Sequence, residues 1–302
     1  MLLLAGSGSF SFDWYFVQRA AMSSTRVCSY DRAGLAWSDP GPLPHTFAQA
    51  VFDLRALIDR SGERGPFLLV GHSLGGLIAR LFAARYPHDV AGVVLLDTGA
   101  ETTLQFINGR FAREIEAALP EPIPAPRLAT VDSERTVSAE AMRGIARFRQ
   151  AVGPPAIDGP YTELPPALQE LRLWAMGQPF AVLADDNPYA ANEEVLSLAD
   201  RIRNPQQLGD IPLIVIGRSP DTVSAVADPA SGAVRRVHER PAELRALGQL
   251  SSNSVVIRAT HSRHEVHLDR PDLVLQAIAN LREAIRTHSH VVAPTTGATI
   301  LQ

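Results

Sequence analysis

The sequence predicts an α/β protein: a mostly parallel sheet with helices on both faces. Three observations carry that prediction. Short apolar runs alternate with helical patterns through residues 1–100, a long proline-broken helical stretch then interrupts them, and the strand-then-helix order resumes near residue 211. The chain of 302 residues is 46% hydrophobic and 20% charged, which is the composition of an ordinary globular protein with a sizeable core.

Residues 2–5, 26–30, 66–71 and 91–97 read as buried strands, because each is a short apolar run bounded by polar or glycine residues. Residues 13–21, 46–61 and 74–85 read as the helices between them. Leu54, Leu57 and Ile58 share one face of the second helix, and Pro87 stops the third. Strand and helix in alternation imply right-handed crossovers and therefore parallel neighbours. From residue 101 to 205 the strand signal disappears and proline-rich breaks such as "ALPEPIPAPRL" and "VGPPAIDGPYTELPPAL" punctuate helical segments. This stretch is expected to be a helical insert in a core made of residues 1–100 and 206–302. Strands at 211–217 and 252–259 and an amphipathic helix at 271–286 complete the core, and the tail 291–302 is expected to fray.

Charge and cysteine content exclude several function classes. All 28 basic residues are arginine, the net charge is -4, and no long run of either sign occurs, so neither a nucleic acid nor an anionic membrane is the expected partner. Cys28 is the single cysteine, which removes an internal disulfide and a cysteine metal site. His45, His88 and His238 lack the spacing of a ligand set, so no metal and no cofactor are expected. The opening "MLLLAGSGSF" is too short and too poor in basic residues for a signal peptide or a membrane span. The default expectation is a cytoplasmic chain.

The chemistry begins at "LLVGHSLGGLIARLFAARYP". In Gly71-His72-Ser73-Leu74-Gly75 a strand reverses into a helix within a few residues, which strains the backbone at the serine and brings chain segments close together; glycine on either side permits both. Such a turn holds the Ser73 hydroxyl at the carboxyl end of the sheet, over the first amides of a helix. This is the pattern of a nucleophile elbow. A serine hydroxyl is a weak nucleophile near neutral pH, so it requires a base and a group to orient that base. In "RATHSRHEVHLDRP" His261, His264 and His267 follow the last strand, and position leaves all three as candidates.

The segments "VCSYDRAGLAWSDPGPLPHT", "PFLLVGHSLGGLIARLFAARYPHDVAGVVLLD" and "LSSNSVVIRATHSRHEVHLDRPDLVLQAI" together resemble the α/β-hydrolase superfamily, in a branch carrying a Tyr-Asp-Arg-Ala-Gly turn. The likeness covers most of residues 1–100 and 208–286 and is poor over the insert. It implies that His264 is the base and His267 a supporting histidine, with Arg263 standing where the branch carries glycine. It leaves two acids open: Asp97, at the end of "VVLLD", and Asp221, in "GRSPD" after the following core strand, with Asp97 slightly favoured. It implies an oxyanion hole from the backbone amides of Leu74 and Ser7, with Gly6 in the family's glycine position. Asp31, Arg32, Trp37 and Asp39 are expected to brace the loops without taking part in the chemistry. Relatives place two strands before the first one here, so those strands are expected to be missing from this chain.

The insert stands where such hydrolases carry a cap, and its apolar residues Phe106, Phe111, Leu173, Trp174, Met176 and Phe180 are expected to form mostly the cap's own core. The implied activity is acyl transfer from a small apolar carboxylic ester to water. A serine at the turn disfavours dehalogenase and epoxide hydrolase chemistry, whose members place aspartate there. The alternative is a member of the same fold that binds a small molecule without turning it over. Oligomeric state is not readable.

Overall fold

The computed structural model describes residues 1–99, 104–107, 110–113, 123–129, 138–184, 187, 193, 206–220 and 232–301. A seven-stranded sheet forms its centre, in the order β2 (Cys28–Ser29), β1 (Leu2–Leu4), β3 (Phe67–His72), β4 (Val90–Leu96), β7 (Leu213–Gly217), β8 (Ser254–Ala259) and β9 (Ala298–Ile300). Every pairing is parallel except β8 with β9. The parallel strands are joined through α1 (Tyr15–Ala21), α2 (Phe47–Ser61), α3 (Leu74–Arg85) and α7 (Gly232–Gly248), and the short α8 (Val266–Asp269) and α9 (Pro271–Thr287) follow β8.

Period-two alternation sends successive strand residues to opposite faces. Leu2, Leu4, Leu69, Val93, Leu95 and Val215 pack with Val51, Leu54 and Ile58 of α2, Phe82 of α3 and Leu244 of α7. Leu3, Val70, Val94, Leu96, Ile214 and Ile216 pack on the other face with Val17 of α1 and Leu273, Ile278 and Leu281 of α9. Each such side chain contributes roughly 1.5–3 kcal/mol relative to exposure, so the two layers fix the sheet that carries the site. Thr46 starts α2 by accepting the Gln49 amide at 3.0 Å, and Gly62 ends it at φ 73°.

Three expectations are corrected here. Leu57 is 43% exposed, because the apolar stripe of α2 is narrower than the sequence suggested and uses Val51, Leu54 and Ile58 instead. The stretch between β4 and β7 is not free of strands: β5 (Leu104–Ile107) pairs antiparallel with β6 (Arg110–Arg113). The tail does not fray throughout, since Ile300 pairs with Ile257 and extends the sheet. The same stretch between β4 and β7 contains α4 (Ala139–Val152), α5 (Pro166–Gly177) and α6 (Pro179–Leu183). Among the described residues no helix is long and apolar enough to cross a membrane.

Candidate active site

β3 runs into α3 through Ser73, whose backbone sits at φ 51° and ψ -119°. A residue other than glycine seldom adopts a positive φ, and here the neighbours enforce it. The Ser73 amide donates to Leu96 O at 2.9 Å, tying the turn to the end of β4. A Cβ on Gly71 would lie 2.6 Å from Gly76 Cα, and one on Gly75 would collide with the Leu4 carbonyl. These two positions admit only glycine because β3, α3 and β1 converge on them.

Asp97 follows β4, also at positive φ (41°), and is 4% exposed. Its Oδ2 lies 2.6 Å from His264 Nδ1. Its Oδ1 accepts from Arg240 Nη2 at 2.9 Å and from the Arg218 amide at 3.2 Å, and Arg218 Nε stands 3.5 Å from Oδ2. Burial alone would raise this carboxyl, but the charge of Arg240, the hydrogen bond with His264 and the charge of Arg218 together hold it well below the usual carboxylate range. Asp97 is therefore an anion facing His264.

His264 is fixed from a second side. His72 Nε2 donates to the His264 backbone carbonyl at 3.0 Å, and the His72 ring lies 4.6 Å from both the His264 and the His267 rings. Trp14 closes the stack 4.5 Å from His267. Burial, then the neighbouring His264, lowers His72 to about 3, and burial with the neighbouring histidines lowers His267 well below its ordinary value. Both are neutral side chains that pack and orient. With Nδ1 engaged by Asp97, the free face of the His264 imidazole is Nε2.

The predicted residues fall into place unevenly. His264 and Asp97 are in contact. Ser73 stands on the adjoining turn, and its hydroxyl is not hydrogen-bonded to His264. His261 is exposed, at φ 54°. Asp221 lies outside the described residues. Ser7 and Leu74 line the same cavity as Ser73, and a Cβ on Gly6 would lie 3.2 Å from Ser73 Cβ, so loop 5–9 abuts the turn. Arg263 does not crowd His264: it folds onto Asp269, Nη2 to Oδ1 at 2.6 Å, and its charge is met there. Asp31 accepts from the Ser11 amide at 2.7 Å, and Arg32 grips loop 5–9, so both are braces.

The cavity beside Ser73 has a volume of about 330 Å³. Its lining includes the apolar Leu74, Leu77 and Ile78 and the polar Arg32, Gln49 and Asp53. From the stretch between β4 and β7, Ala184 and Asn187 line it. Leu173, Trp174, Met176 and Phe180 do not; Trp174 is 43% exposed against Trp37, and Met176 packs with Phe10 and Leu35. The side chains of Phe106 and Phe111 lie outside the described residues.

The profile of the alpha/beta hydrolase family matches residues 1–277. The chain belongs to this family. A probable transporter of Hormonema carpetanum is 36% identical over 34% of this chain, an alignment that spans only 15% of that longer protein. An uncharacterized protein of Bacillus subtilis, YqjL, is 23% identical over 91% of this chain and 79% of its own length. The solved structure of a thermophilic esterase from Thermogutta terrifontis superposes with a TM-score of 0.57 at 20% identity, covering 94% of this chain and 89% of that one, a likeness of fold.

Sequence reasoning missed the arginines behind Asp97. Arg240 sits on α7, and Pro241 inside that helix disguises it as a break. Arg218 directly follows β7 and was readable only as a loop residue.

Proposed function

We propose that this chain is a serine hydrolase that works through an acyl-enzyme on a small carboxylic ester. The observation that carries the reading is the 2.6 Å contact between His264 Nδ1 and a buried, ionised Asp97, formed beside a serine held at positive φ. Ser73 Oγ attacks the ester carbonyl while His264 Nε2 takes its proton. Asp97 orients the imidazole and balances the imidazolium that forms. The carbonyl oxygen becomes an oxyanion, met by the backbone N–H groups of Ser7 and Leu74. The carbon–oxygen bond to the alcohol then breaks, and His264 returns the proton to the departing alkoxide. Water, deprotonated by the same nitrogen, attacks the acyl-enzyme and releases the acid with Ser73 restored.

The helices of residues 101–205 act in this reading as a cap, and Ala184 and Asn187 bring it to the cavity wall. A cavity of about 330 Å³ is at the small end of ligand sites and suits a short acyl chain along Leu74, Leu77 and Ile78. Hydrolysis of p-nitrophenyl acetate, butanoate and octanoate by the wild type and by Ser73→Ala tests it. The expected result is turnover of the two short esters and none by the variant; equal rates from both proteins would reject Ser73 as nucleophile.

A second reading, binding without turnover, draws on one observation: the Ser73 hydroxyl is not hydrogen-bonded to His264. It predicts a ligand that raises Tm and is recovered unchanged. Catalytic hydrogen bonds are commonly longer before substrate arrives, so the missing bond does not count against the first reading, which the Asp97–His264 contact favours.

A further inference from the structure

Loop 5–9, which carries Ser7, is held by two arginines from different parts of the chain. Arg32 donates through Nη1 to Ala5 O at 2.6 Å and through Nη2 to Gly6 O at 2.9 Å. Arg172, on α5, donates through Nη2 to Gly8 O at 3.2 Å. Its Nη1 pairs with Asp13 Oδ2, which also accepts the Phe10 amide at 2.9 Å. The guanidinium lies 3.5 Å from the centre of the Tyr161 ring, and the Tyr161 hydroxyl stands 3.4 Å from Ser9 Oγ. Arg172 is 6% exposed and Asp13 is fully buried.

The physics of the peptide unit gives this grip a consequence for the site. Carbonyl and N–H of one trans peptide point in opposite directions within one plane. Anchoring the Gly6 carbonyl to Arg32 and to the Ser9 amide (3.3 Å) therefore fixes the direction of the Ser7 N–H. Anchoring the Gly8 carbonyl to Arg172 fixes the far end of the same short turn. Glycine at positions 6 and 8 leaves the loop without intrinsic stiffness, so its shape depends on these anchors. One anchor belongs to the core and the other to a helix from between β4 and β7.

We propose that Arg172 is a positioning residue for the oxyanion donor of loop 5–9, so that the donor is held at both ends of its turn while α5 is seated on the core and by Arg32 alone when it is not. The inference rests on the serine hydrolase reading above. Seating is secured by the buried Arg172–Asp13 pair and by the Tyr161 hydroxyl at Ser9 Oγ, with the Arg172 guanidinium stacked on the Tyr161 ring so that the two contacts support each other. Lifting α5 removes the Arg172 anchor from the Gly8 carbonyl, so the Gly8–Ser9 peptide can turn and withdraw the Ser9 N–H from Gly6 O; the Gly6–Ser7 plane is then held by Arg32 alone, which weakens stabilisation of the transition state without emptying the cavity.

Two variants test this. Arg172→Lys keeps a positive charge for Asp13, but its single ammonium cannot also reach Gly8 O in a planar fork. Arg172→Met with Asp13→Asn removes both buried charges together and leaves neither unpaired. Each is compared with the wild type for kcat and KM on p-nitrophenyl butanoate, for inhibition by phenylboronic acid, and for circular dichroism. Phenylboronic acid adds the Ser73 oxygen to boron and presents a tetrahedral, negatively charged adduct to the same amides. The expected result is a fall in kcat of roughly 10- to 1,000-fold with KM little changed, and a parallel weakening of the boronic acid, in protein of native spectrum. A folded variant with wild-type kcat and wild-type boronic acid affinity overturns the proposal. Wild-type protein that neither hydrolyses the ester nor binds the boronic acid overturns the underlying reading, an outcome distinct from variants that match an active wild type.

Discussion

Arg240 Nη2 and Asp97 Oδ1 lie 2.9 Å apart, both buried, and the same guanidinium nitrogen also donates to Thr98 O at 2.8 Å. Glu243, one turn along α7, holds the other arm of the guanidinium at 3.1 Å. A helix therefore fixes the side chain of the residue that faces His264 and the backbone of the residue after it. Removing one member of a buried pair leaves the other uncompensated, at a cost of about 3–5 kcal/mol. Arg240→Gln is expected to lower stability on that scale in urea denaturation and to lower kcat, because Asp97 loses its largest stabilising charge.

The contact between Asp97 and His264 supports Asp97 over Asp221 as the acid of the proposed reaction. Asp97→Asn is expected to cut kcat by about 10⁴-fold, since an amide can accept the wrong tautomer and cannot balance an imidazolium. Asp221→Asn is expected to leave kcat at the wild-type level. Comparable loss in the second variant, measured on the same ester, would move the acid to Asp221.

Loop 5–9 supplies a steric prediction. A Cβ on Gly6 would lie 2.8 Å from His72 Nδ1 and 3.2 Å from Ser73 Cβ. His72 cannot retreat without releasing the His264 carbonyl. Gly6→Ala is therefore expected to destabilise the fold by about 1–3 kcal/mol through overpacking and to reduce kcat by at least about tenfold. Wild-type kinetics in this variant would show that loop and turn move independently.

The strands were legible because their apolar runs alternate with helices, and Ser73 was legible because glycines flank it at a strand-to-helix junction. What escaped depends on contacts distant in sequence. Arg240 reaches Asp97 across 143 residues and Arg172 reaches Asp13 across 159, pairings that no local periodicity encodes. Leu57 misled because a helical wheel shows which residues share a face but not where the neighbouring layer ends. The β5–β6 hairpin does carry a local signal: Asn108-Gly109 stands between the two strands in the sequence, a favoured pair for a two-residue turn. The likeness to the hydrolase family pointed to His264 rather than His261 or His267, and the contact with Asp97 now gives that choice a physical reason.

Acid stability follows from the histidine stack. His72 has its folded value lowered from 6.5 to about 3, and His267 is lowered as well, so below pH 6.5 the unfolded chain binds protons that the folded chain refuses. Their contribution is fully present above pH 6.5 and is lost as pH falls toward 3. His72 adds a slope of about 1.4 kcal/mol per pH unit in that window, and His267 acts in the same direction. Asp97 acts lower down: its folded value is depressed, so its contribution is intact above about pH 3.9, the unfolded carboxylate value, and fades only below it. Between pH 6 and 4 the fall in urea-denaturation stability is thus expected to come from the histidines. His72→Gln, which retains a donor for the His264 carbonyl but cannot titrate, is expected to flatten that slope by about one proton. An unchanged slope in the variant would mean that His72 takes up its proton in the folded protein.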